Sequence, residues 1–181
     1  MAKAAELLRV FFLDPATRMN PNLEFAQAIP GRSRGRGIGI IDALHLIEIP
    51  VAVRTLERSP AFPPGMADGL RGWFRELATW MTTSTNGRDE AAEKNNHAVA
   101  FFLQLAVYAD FIGDEAKVAA CRTRFKEVFV PVQMAADGGF PLELARTKPY
   151  GYSIFQLDNM ALLCQVLSTT DDDLWSFALP D

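Results

Sequence analysis

Apolar residues recur at three- and four-residue steps along most of this chain, and polar stretches rich in Pro, Gly and Asn separate the periodic segments. Residues 2–13 read as an amphipathic helix with Leu7, Leu8, Phe11 and Phe12 toward the core, ended by Asp14-Pro15. Residues 15–37 hold too much Pro, Asn, Gly and Arg for a regular element. Met19, Leu23, Phe25 and Ile29 interrupt them, which predicts an ordered loop packed on the body. Residues 38–58 predict a second helix kinked at Pro50. Turn residues follow at 59–65. Residues 66–83 predict a third helix carrying Trp73, Phe74, Leu77 and Trp80.

Residues 84–96 read as a polar connection, partly helical at 90–93. Residues 97–112 are so apolar that their helix is expected to be buried on most sides. Gly113-Asp114 supplies a stop and a new N-cap. A fifth helix is predicted over 115–134, a turn at 136–139 and an irregular loop over 140–152. Ser153 is expected to cap a last helix to about Leu167, and an acidic tail follows at 171–173.

No run alternates convincingly with the period of a strand. The pattern predicts an all-α fold of antiparallel αα-hairpins, stacked into a solenoid or toroid. The inter-helix loops would then line a concave face, and loops on a rigid scaffold are where chemistry concentrates.

The chain has 181 residues, 49% of them hydrophobic and 22% charged, with a net charge of -4. That suits one domain with a sizeable core. No basic excess exists to neutralise a nucleic-acid backbone, and no apolar run reaches the length of a membrane span. The first fourteen residues carry Lys3, Glu6 and Arg9 within their only apolar stretch, unlike a signal peptide. Cys121 and Cys164 lie in apolar helical runs and read as buried free thiols, with a disulfide between them left open in an oxidising compartment. Neither has a second ligand at metal spacing.

Two polar islands stand out. One is Lys94-Asn95-Asn96-His97, at a predicted helix start. Either asparagine could be the N-cap, and amides with an imidazole at a helix N-terminus favour an anion. His97 is one of 2 histidines. The other, His45, sits mid-helix among Leu44, Leu46 and Ile49 and reads as a partly buried, satisfied residue. The second island is Pro141-Leu142-Glu143-Leu144-Ala145-Arg146, followed by Lys148, Tyr150 and Tyr152. Arg146 could pair with Glu143. It could instead favour the ionised form of a nearby tyrosine, whose phenol ordinarily titrates near about 10.

The arginine- and glycine-rich run at 31–39 lacks the preceding strand and the terminal Lys-Ser/Thr of a phosphate loop. It reads as a cationic loop suited to an acidic polymer, or as a solvated one. No carboxylate pair, nucleophile elbow or His-Glu-x-x-His motif is present.

Several segments together resemble the α/α-toroid alginate lyase family. They are Leu13-Asp14-Pro15-Ala16-Thr17-Arg18-Met19-Asn20-Pro21-Asn22-Leu23, Gln27-Ala28-Ile29-Pro30-Gly31 and Gly35-Arg36-Gly37-Ile38-Gly39-Ile40-Ile41-Asp42, then the two islands, in the family's order. The resemblance implies an incomplete α/α toroid formed by residues 1–181 as a single domain, lacking N-terminal helices. It implies a polysaccharide lyase that cleaves a polyuronate, alginate or glucuronan, by β-elimination, without cofactor or metal. The implied partner is an acidic polysaccharide, with no nucleic acid or membrane, and the implied location is secreted or periplasmic. Asn96 and Arg146 would neutralise the substrate carboxylate. His97 would be a base or a positioning group, and Tyr152, preferred over Tyr150, the acid/base. Gln27, Arg36, His45, Asn95 and Tyr150 would contact substrate. A non-catalytic polysaccharide-binding relic and a helical interaction protein are the other functional classes open to this sequence.

Overall fold

The first helix of the computed structural model, which describes residues 2–179, buries Ala5, Leu8 and Phe12 and leaves Leu7 and Phe11 exposed. A helix advances about 100° per residue, so Leu8 and Phe12 share a face that their preceding neighbours miss. This corrects the expectation that both adjacent pairs face inward. α1 spans Ala2–Leu8 and unwinds into a π-turn at Arg9–Leu13, which stops at Asp14 in extended geometry. The loop beyond it buries Leu23 and half-buries Met19, and it leaves Phe25 and Ile29 largely exposed. Trp73 Nε1 donates to the Met19 carbonyl at 2.8 Å and ties the loop to the body.

The second helix is two pieces rather than one kinked rod. A 3-10 segment, Gly37–Ile47, leads into α2, Glu48–Leu56. Pro50 therefore falls in the first turn of α2, where its missing N–H costs no intrahelical bond. α3 is Met66–Thr83. Ser84 caps a further helix, α4, Thr85–Ala91, by accepting from Gly87 N at 3.0 Å. That helix occupies most of the segment expected to be a polar connection.

α5, Asn96–Ile112, is buried on nearly every side, as its composition requires. It ends at Gly113 in the left-handed conformation, and Asp114 then caps α6, Glu115–Arg124, by accepting from Lys117 N at 3.1 Å. α6 does not continue as an α-helix to residue 134. It passes into a π-helix, Phe125–Gln133, that contains Pro131, a residue with no N–H for an α-helical ladder. α7, Pro141–Leu144, and α8, Pro149–Leu167, complete the fold. Pro149 opens α8 at a position proline favours. Ser153 is thus inside the helix, with a buried hydroxyl that finds no partner, and is not its cap.

The described residues form an all-helical arrangement of antiparallel αα-hairpins, an arc of an α/α toroid around α5. One continuous apolar cluster runs from Ala5 to Leu174. Phe12, Trp73, Phe74, Tyr108 and Phe111 form its aromatic centre, with Phe12 and Trp73 ring centroids 4.8 Å apart. Trp80 is half-buried against it. Cys121 and Cys164 are buried free thiols. No helix among the described residues is long and apolar enough to cross a membrane.

Candidate functional site

The two polar islands meet at the N-terminus of α5. Asn95 is the N-cap, and its Oδ1 accepts from His97 N at 3.2 Å. The next residue, Asn96, is held from another part of the chain. Its backbone N and its Nδ2 donate to the two carboxylate oxygens of Glu143, both at 2.7 Å. Asn96 and Glu143 are each 1% exposed. A carboxylate at a helix N-terminus also complements the helix dipole. Glu143 is therefore not the partner of Arg146, which corrects the pairing considered for the loop.

Arg146 lies just beyond α7 and stacks on Tyr152, in the first turn of α8, with its guanidinium carbon 4.0 Å from the ring centroid. Glu143, Arg146 and Tyr152 thus form a short unit bolted onto Asn96. Tyr150, by contrast, is 81% exposed.

His97 Nδ1 lies 2.9 Å from Oε1 of Glu90, a fully buried residue at the end of α4. The bond to Glu90 raises the His97 pKa above its ordinary value. Burial opposes the rise, as does the nearby positive charge of Arg146. Burial pushes the Glu90 carboxyl up, against the pull of its bond to His97. The pair thus joins a fully buried carboxyl to a half-buried imidazole. A neutral His97 that donates from Nδ1 to Glu90 leaves Nε2 as the nitrogen available to a ligand.

The loop residues pack on α4, the helix that carries Glu90. Gly37 packs on α4 so closely that a Cβ would lie 2.7 Å from the Asn86 carbonyl oxygen and 3.3 Å from Glu90 N. Gln27 adopts a left-handed φ of 51° and donates from Nε2 to Asp42 Oδ1 at 3.1 Å. Asp42 is near enough to Glu90 for its charge to raise the carboxyl further. Arg36 is exposed beside this contact. His45 departs from its expected environment. Its side chain is 92% exposed and lies 3.3 Å from Glu48, so it is not a partly buried, satisfied residue.

Sequence reasoning missed Glu90 altogether and misassigned Glu143. Glu90 sits in a segment read as mostly irregular. The pattern places it in a helical piece over 90–93, whereas the helix runs Thr85–Ala91 from the Ser84 cap, and nothing in sequence aims it at His97. Among the described residues no cluster of metal-ligating side chains forms. A groove of about 540 Å³ between α2, α5 and α8 contains none of the site residues.

The alginate lyase family profile matches residues 1–181. A crystal structure of an alginate lyase from Bacteroides ovatus superposes with a TM-score of 0.92 at 39% sequence identity. The match covers 98% of this chain and 47% of the other, so the chain spans about half the length of that neighbour. No curated protein matches the chain significantly. With its full length matched by the family profile and its fold shared with that enzyme, the chain belongs to the alginate lyase family.

Proposed function

We propose that the chain is the catalytic part of a polysaccharide lyase that cleaves a polyuronate, alginate or glucuronan, by β-elimination at Asn96, His97, Arg146 and Tyr152. The observation that carries this reading is the double Glu143 clamp on Asn96, which gathers an amide, an imidazole, a guanidinium and a phenol from two distant segments. Family membership supports the reaction class, and the neighbour's description supports the substrate class.

Elimination removes the C5 proton of a uronate, forms a C4–C5 double bond from the released electron pair and breaks the C4–O glycosidic bond. The leaving oxygen takes a proton. As C5 loses its proton, negative charge builds on the neighbouring carboxylate. The second N–H of Asn96 Nδ2 and the Arg146 guanidinium would meet that charge where it develops. Tyr152, stacked on Arg146, would carry the proton from C5 to the leaving oxygen. His97, turned by Glu90, offers Nε2 to the same sugar as a base or an anchor. Gln27, Arg36 and Asn95 are proposed to contact flanking sugars, with Tyr150 and His45 as outer contacts. We read residues 1–181 as one toroid domain, built on its single continuous core. Family membership supports a secreted or periplasmic location.

Incubation with alginate and with glucuronan is expected to raise ultraviolet absorbance as the unsaturated uronate end forms. Tyr152→Phe and His97→Gln should each lower the rate by at least about 100-fold while polymer binding persists. Retained activity in both variants would sink the residue assignment. Binding without cleavage across the polyuronates would favour the non-catalytic relic.

A further inference from the structure

The loop before the 3-10 segment is a basic stretch in an acidic protein. Residues 15–37 carry Arg18, Arg32, Arg34 and Arg36 against Glu24 alone, in a chain of net charge -4. The tip of this loop is built rather than slack. Ile29 and Ser33 exchange antiparallel backbone bonds of 2.8 and 2.9 Å, and Ser33 Oγ donates to the Gly35 carbonyl at 3.3 Å. The turn surrounds a concavity of about 580 Å³ lined by Phe25, Ile29, Arg32 and Arg34. Phe25 is 56% exposed, and the Arg34 guanidinium carbon lies 5.3 Å from its ring centroid. The one ion pair at this rim, Arg34 with Glu24 at 3.2 Å, is solvent-exposed. Such a pair contributes little and exchanges readily for another carboxylate.

We infer that Arg32 and Arg34, with the Phe25 ring, form an outer subsite that binds a uronate residue of the polymer away from the bond that breaks. The inference rests on the polyuronate reading above. Each uronate carries one fixed carboxylate, which the planar fork of an arginine matches with paired hydrogen bonds. The apolar face of the sugar ring suits the exposed Phe25 ring beside them. The far end of the same loop is joined to the reaction site through the close packing of Gly37 on α4. A chain lying across both would gain binding free energy from carboxylates that take no part in bond breaking. That gain appears in KM for long substrates rather than in kcat, and it weakens as salt screens the exposed charges.

The test compares the wild type with Arg32→Ala/Arg34→Ala and with Arg32→Lys/Arg34→Lys, on polymer and on trisaccharides of the same uronate, at low and high salt. The substituted side chains are exposed, so all three proteins should melt alike. The alanine pair is expected to raise polymer KM roughly threefold to tenfold at low salt. It should leave kcat and trisaccharide KM unchanged and flatten the salt dependence, and the lysine pair should recover part of the loss. Polymer KM and salt slope equal to wild type would overturn the subsite. Retardation in gels containing polyuronate, with neutral glucan as control, reads binding without cleavage. An inactive wild type whose salt-sensitive retardation is lost in the alanine pair would overturn the lyase reading and support the subsite. Retardation unchanged in that pair, or equal on neutral glucan, would overturn the subsite whatever the activity.

Discussion

Glu143 reaches across 47 positions of sequence to hold Asn96, and Glu90 reaches across 7 to hold His97. Both catalytic candidates thus depend on buried carboxylates that polar spacing alone did not mark. The residues that present chemistry were legible, because amides, a lone imidazole and an arginine stand out against apolar helices. Their holders were not, because a glutamate in a polar segment looks the same whether it faces solvent or a partner. The upward pKa shifts of Glu90 and His97 have a measurable consequence. The native state raises the pKa of both groups, so it retains protons that the unfolded chain releases. Linkage then makes stability fall as pH rises. For His97 the contribution is full below the ordinary value of 6.5 and is lost as pH climbs through its elevated value. Thermal melts from pH 6 to 9 should show a decline in Tm that His97→Gln flattens. Equal slopes in the two proteins would mean that His97 does not carry this pH dependence.

At the scale of elements, periodicity located α3, α5 and the capped start of α6 closely, because each carries a full apolar face and a terminal signal. It failed where winding departs from 3.6 residues per turn. The 3-10 run at Gly37–Ile47 and the π-helix at Phe125–Gln133 keep apolar residues at steps that mimic an α-helix. It also failed at α4, which is short and polar and exists because Ser84 caps it directly after α3. The junction of α3 and α4 leaves no room for a side chain at Gly87. A Cβ there would lie 1.7 Å from the Met81 carbonyl oxygen, a backbone atom that cannot swing aside. Gly87→Ala should cost about 3 kcal/mol or more, a fall in Tm of roughly 6–12 °C for a chain of this size. Because α4 carries Glu90, any folded fraction should also lose activity. A Gly87→Ala protein that melts with the wild type would show that the junction relaxes more easily than its geometry allows.

For the whole molecule, the all-α class and the hairpin order could be read from sequence, since each helix announces itself locally. Which loops meet could not, because closure of the arc depends on contacts between residues far apart in the chain. The two cysteines offer a direct probe of that closure. Cys121 lies on α6 and Cys164 on α8, and both are free thiols buried in the shared core. Burial pushes the Cys121 thiol up to about 12 and the Cys164 thiol up to about 11, with Asp173 adding to the second shift. The thiolate is the reactive form, so at pH 8 both groups are protected by scarcity of thiolate and by lack of access. A water-soluble disulfide reagent should therefore label neither in the native protein and both in denaturant. Because α6 and α8 pack on the same central helix, the two thiols should react with one rate that follows global unfolding rather than the opening of either helix. Rapid labelling of Cys164 alone in native buffer would mean that α8 and its Leu174 cover open independently, and that the core is less continuous than its packing implies.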